Sequence, residues 1–117
     1  MSEELVGEEF RWKGDDTLNL LVARTATERI KGLSGMNSLP GDVRGMLFDY
    51  DQETFVPFVA KECGFDLAIG FYDSQGTFLG SAEIPQGSVH PVWPPAKFRY
   101  AVEVPVEDID SLGSIEL

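Results

Sequence analysis

Leu67-Ala-Ile-Gly-Phe-Tyr72, then Asp73-Ser-Gln-Gly76, then Thr77-Phe-Leu-Gly-Ser-Ala-Glu-Ile84: two strand-like runs flank four turn-forming residues. This pattern predicts a β-hairpin in which Gly76 takes the left-handed turn position. Working outward, Phe98 to Val104 reads as a further strand, and Met46 to Tyr50 as another, closed by a polar turn at Asp51-Gln-Glu53. Phe55 to Glu62 reads as extended, and Pro57 places it at an edge or a bulge because proline donates no ladder hydrogen bond. At the N-terminal side, Glu9-Phe10-Arg11-Trp12 alternates, Lys13-Gly14-Asp15-Asp16 is turn chemistry, and Thr17 to Ala23 is a second strand. Residues 1–8 read as a flexible leader. Ser114 to Leu117 closes the sheet.

Helical signals are few. Thr25-Ala-Thr-Glu28 is a capping box: the Thr hydroxyl accepts from the backbone three residues on, and the Glu carboxylate reaches back. A short helix from Ala26 to about Leu33 should follow, with Ile30 and Leu33 facing inward and Gly35 as a stop. Glu107 to Leu112 has the length of one helical turn before Gly113. The sum is seven to eight short strands with one or two short helices. Hairpin connections dominate, so the expected fold is α+β, β-rich and mostly antiparallel, either a partly open barrel or two packed sheets.

At 117 residues the chain makes one domain and buries roughly two-thirds of the surface its unfolded form exposes. A disulfide within the chain is impossible, because Cys63 is the only cysteine. No apolar run approaches the roughly 18 residues of a membrane span, and the acidic start lacks the pattern of a secretory signal. The cytoplasm is the expected address. Net charge is −11, which repels nucleic acid and anionic membranes. Solubility, adaptation to high salt, and a basic partner or cation are three readings of that charge.

Strong catalytic motifs are absent: no paired-cysteine metal site, no phosphate-cradling glycine loop, no His-Glu-x-x-His. Neither a cofactor nor a metal is expected. Cys63 and the sole histidine, His90, form the one available nucleophile–base combination, yet a lone cysteine beside strand residues reads more simply as a packed group. Lys61 leaves an apolar stretch into a Gly-containing bend, so its ammonium either enters a cleft or guards a sheet edge. Glu103 points away from Tyr100, Val102 and Val104 on its strand. If that face is covered, the carboxylate needs a cation, with Lys61, Arg29 and Arg99 as candidates. Asp49, Asp51, Glu62 and Asp66 offer oxygen ligands for a hard cation, although a solvated acidic edge is the simpler reading. Residues 85–97 hold four of the seven prolines, with His90 and Trp93 between them. This stiff loop is either an aromatic platform for a ligand or peptide, or a lid with Trp93 as its plug.

Thr25-Ala-Thr-Glu28-Arg29-Ile-Lys-Gly32-Leu33, Gly45-Met-Leu-Phe48, Lys61, the Leu67 to Asp73 strand with its Gly76 turn, and Tyr100-Ala-Val-Glu-Val-Pro105 occur in an order and spacing that resembles the domain-of-unknown-function 192 family. The resemblance runs from about Leu18 to Val106. It implies a compact β-rich prokaryotic domain of exported or cytoplasmic type, with no established activity. The family typically shows Phe-Trp-Met-Lys-Asn-Thr and then an Asp. Here the stretch is Phe58-Val-Ala-Lys61-Glu62-Cys63, and the place of the later Asp falls on Ala68, with Asp66 two residues earlier. The altered phrase favours a non-enzymatic binding module for a small ligand or a protein partner, near segment 58–66 and loop 85–98. Its candidate residues are Lys61, Glu62, Asp66, His90, Trp93 and Glu103. The rival is an enzymatic or metal-dependent site using Lys61 with Glu62, Asp66 or Glu103.

Overall fold

A computed structural model describes residues 7–12, 17–60 and 62–117. The expected leader over 1–6, the turn at 13–16 and Lys61 lie outside the described residues. Seven strands form one mixed sheet: β1 (Gly7–Trp12), β2 (Thr17–Ala23), β3 (Gly45–Thr54), β4 (Leu67–Tyr72), β5 (Phe78–Ile84), β6 (Phe98–Pro105) and β7 (Ile115–Glu116). Their spatial order is β5-β4-β6-β3-β2-β1-β7. All pairs are antiparallel except β2 with β3, which run parallel. One α-helix, α1 (Ala26–Lys31), lies between β2 and β3, and a 3-10 turn, Val106–Ser111, follows β6. The β-rich, mostly antiparallel expectation therefore holds. The strands make one sheet rather than two, and among the described residues no ladder joins β5 to β7.

The two faces of the sheet carry separate cores. On one, residues from all seven strands meet, with Leu20, Leu47, Tyr72, Val102 and Ile115 at its centre. On the other, Met46, Phe48, Ile69, Phe71 and Ala101 are covered by Leu33, Phe58, Ala60 and Cys63 from the connections. This double covering explains why all six residues of β4 are buried, and why its sequence is apolar without alternation. The sheet curls enough for Ile115 N–H to donate to the Gly76 carbonyl at 2.9 Å. Nearby, Phe78 N–H donates to Ser114 Oγ at 3.0 Å. Gly76 is left-handed at φ +82°, as the turn chemistry required.

Three local expectations need correction. Asp51-Gln-Glu53 continues β3 instead of turning. The ladder to β6 shifts register between Asp49 and Thr54, so these residues sit in a bulged, exposed but extended stretch. Polarity there reports solvent, not a turn. Ile30 is 85% exposed, whereas Leu33 is buried as expected. The helix stops at Lys31 and Gly32 takes φ +50°, which breaks the helical phase between the two. Gly7 and Glu8 belong to β1, paired with Leu21 and Leu20, rather than to a leader.

Arg29, not Ile30, faces the sheet. Its Nη1 donates to the carbonyls of Arg24 at 2.6 Å and Asp49 at 3.0 Å, and its guanidinium lies 4.8 Å from the Tyr50 ring centre. The helix is thereby pinned over β3. The stiff loop is pinned as well: Phe58 and Val92 exchange backbone hydrogen bonds, and Gly87 N–H donates to the Ala60 carbonyl.

Candidate functional site

Glu103 sits in the middle of β6, opposite Met46 of β3 and Ile69 of β4. It is 3% exposed, the one buried charged-type residue among those described. Strand alternation puts it on the face of Ala101, beneath the covering connections, so the face that the sequence left open is closed. Arg29 does not reach it, being held by two carbonyls. Arg99 binds Asp49 at 2.7 Å instead. Among the described residues Glu103 makes no hydrogen bond or ion pair through its side chain. Burial accordingly pushes its carboxyl up to about 8, because the charged form loses water without gaining a counter-charge.

A cavity of about 70 Å³ opens beside it. The buried Glu103, Cys63, Leu67, Ala60 and Leu33 line it, together with the more exposed Val59 and the end of α1. The space suits several waters or one compact polar molecule. Cys63 is buried. Burial raises its thiol pKa, with the Glu103 charge adding to the rise against backbone hydrogen bonds from Phe65 and Gly64. Tyr50 is raised too, chiefly by burial, with Arg29 opposing and Glu103 reinforcing. A raised thiol is a poor nucleophile at neutral pH.

Of the six candidate binding residues, Glu103 alone lines this pocket among those described; Arg29 and Cys63, which the sequence offered as a counter-charge and as a packed or nucleophilic group, line it too. Glu62 is exposed, and its carbonyl accepts from Gly35 N–H at 2.9 Å. Asp66 is exposed, its Oδ1 accepting from Gln86 N–H at 2.7 Å. That carboxylate ties the loop to the sheet end. His90 is exposed, with its backbone N–H donating to Ser88 Oγ. Trp93 is 54% exposed and stacks on Phe55 with ring centres 5.5 Å apart, so it is a surface aromatic and not a plug. No group of three or more His, Cys, Asp or Glu side chains gathers among the described residues; Asp49 is engaged by Arg99 and Arg24. Lys31 and Leu67 are pocket residues that sequence reasoning missed, whereas Cys63 is the packed group it was read as. The available signal was Glu103 itself, a carboxylate flanked by Val102 and Val104.

A curled single sheet with a helix-capped pocket over a buried acid defines a class of small β-rich domain. The chain belongs to the DUF192 family, described as "Uncharacterized ACR", whose profile matches residues 9–115. Among solved structures it is similar to a protein of Sinorhizobium meliloti 1021 provisionally described as a transcription regulator. The TM-score is 0.81 at 20% identity, covering 99% of this chain and 95% of that one. It is also similar to a protein of unknown function from Novosphingobium aromaticivorans DSM 12444, with a TM-score of 0.78 at 19% identity, covering 96% of this chain and 83% of that one. At these identities the likeness speaks for the fold. No curated relative matches the chain. Among the described residues no helix is long and apolar enough to cross a membrane.

Proposed function

We propose that this protein is a non-enzymatic binding module that holds a compact polar molecule in the pocket above Glu103. One observation carries the reading: a buried carboxyl, without a counter-charge among the described residues, lines a cavity that opens beside the end of α1. Burying such a group is unfavourable, so its presence at a cavity is explained by a ligand that completes it. Segment 58–66 supplies the wall through Val59, Ala60 and Cys63. Loop 85–98 supports that wall through the Phe58–Val92 and Gly87–Ala60 hydrogen bonds rather than by touching the ligand. An enzymatic or metal-dependent site using Lys61 with Glu62, Asp66 or Glu103 has less support, since Glu62 and Asp66 are exposed and outside the pocket. Nucleic acid is a poor partner for a chain of net charge −11.

A thermal-shift screen against metals, sugars, nucleotides and small metabolites tests the reading. A ligand at one hundred times its Kd adds about 2.7 kcal/mol of apparent stability. Its amide shift changes should centre on Leu33, Ala60, Cys63 and Leu67 and weaken in Glu103→Gln. Ligands that perturb only other surfaces, or turnover of the bound compound, would overturn it.

A further inference from the structure

The charges around the pocket are arranged in a sequence from inside to outside. At the inner end lies Glu103, 3% exposed and unpaired among the described residues. Arg29 and Lys31, from the last turn of α1, line the outer part. Arg29 already donates to two backbone carbonyls, while Lys31 is exposed and forms no ion pair among the described residues. The rest of the lining includes the apolar Leu33, Val59 and Leu67. A simple anion would be held at the rim but would meet a carboxyl inside. A simple cation would suit the carboxyl but would pass two positive groups on entry. A molecule with both charges, oriented, meets neither difficulty.

We propose that the pocket takes a compact zwitterion of the amino-acid class, with its ammonium on Glu103 and its carboxylate at the rim beside Lys31. This rests on the binding-module reading and names its ligand class. The cavity of about 70 Å³ restricts the ligand to a short one. The ionised Glu103 carboxylate is the form that holds an ammonium, so binding releases the proton that Glu103 carries in the free protein below about pH 8. The titratable and charged groups that face Glu103 are Arg29 and Lys31 from α1, Tyr50 from β3 and Cys63 from the covering segment. β4 presents only Leu67 and Ile69. Lys61, next to Ala60 in the wall, lies outside the described residues and is therefore varied in the test.

The test follows the carboxyl carbon of Glu103 by NMR from pH 5 to 10, alone and with glycine, β-alanine, ethylammonium, acetate or urea. Glycine or β-alanine should move the Glu103 midpoint down by at least about one pH unit, with a proton released at pH 7. Affinity should tighten about tenfold per pH unit from 6 towards 8, level off above, and fall again once the ligand's own ammonium loses its proton towards pH 10. Glu103→Gln should abolish that slope, and Lys31→Gln should weaken glycine or β-alanine while leaving ethylammonium unaffected. Urea binding in the pocket without pH dependence would overturn the zwitterion while the binding module stands. The same holds if neither amino acid binds but another compound from the screen occupies the pocket. Should no compound of any class perturb the pocket amides, the binding module itself falls. A Glu103 midpoint that rises in ligand-free Lys61→Met would show that the chain supplies its own cation, and would likewise overturn the proposal.

Discussion

Glu103 makes this protein's stability depend on pH in a direction opposite to that of most surface carboxylates. The folded state holds the Glu103 proton up to about pH 8, starting from an ordinary value of 4.5. The stability that Glu103 contributes is therefore fully present below about 4.5 and is lost as pH climbs through 8. Each unit of such a shift is worth about 1.4 kcal/mol, so the loss amounts to a few kcal/mol across that window. Glu8 and Glu28 act on the acid side. The Arg24 side chain lowers the first, and the backbone N–H groups of Arg24 and Thr25 lower the second. Their contributions are present above the usual carboxylate range and fade as pH falls below it. Urea denaturation of Glu103→Gln should accordingly show a curve flatter than wild type between pH 5 and 8. At pH 8 the variant should be more stable by about 1–3 kcal/mol, after allowing for a buried amide. An equally steep fall in the variant would place the pH dependence elsewhere.

At the scale of elements, α1 shows how little a helix needs when its ends are well made. It has six residues and buries none of them. Thr25 Oγ1 accepts from Glu28 N–H at 3.1 Å, and Glu28 Oε1 accepts from Thr25 N–H at 3.0 Å. The capping box and the Arg29 contacts hold it, not an amphipathic stripe. Thr25→Ala should cost about 1 kcal/mol in chemical denaturation, and it should loosen the pocket rim formed by Arg29 and Lys31. A change below 0.3 kcal/mol, in the range of an uninvolved surface site, would refute this. The cap was legible because its two residues are neighbours in sequence. So were the β4–β5 hairpin, with its polar turn, and β6, with its apolar run. Ile30 was misread because helical phase assumes a helix longer than this one. Asp51 to Glu53 were misread because a bulged strand edge and a turn have the same composition. Glu103 stood out by its apolar neighbours. Lys31 and Leu67 did not, because only tertiary packing brings their distant segments over it.

For the molecule as a whole, the strand order was beyond local pattern. β2 and β3 pair in parallel across the α1 connection, and β1 lies between β2 and β7. Such pairings depend on long-range closure rather than on the composition of either strand. One residue tests how the two ends of the sheet approach each other. Gly76 is left-handed, and a Cβ there would run into the Ile115 carbonyl oxygen. Gly76→Ala should cost about 1–3 kcal/mol for the backbone conformation alone, plus the displacement of β7. Hydrogen exchange at Ile115 should rise more than at Val102 in the middle of the sheet. Uniform acceleration at both positions would mean that the corner has no local role.

The place of β7 also sets a timetable for biosynthesis. The outer edge of β1 is satisfied by Arg11 and Trp12 pairing with Glu116 and Ile115, which are made about a hundred residues later. Until Ile115 has left the ribosome, the nascent chain carries that edge bare, a template for pairing with other chains. Dependence on chaperones should therefore be greatest in the interval between the synthesis of β1 and that of β7.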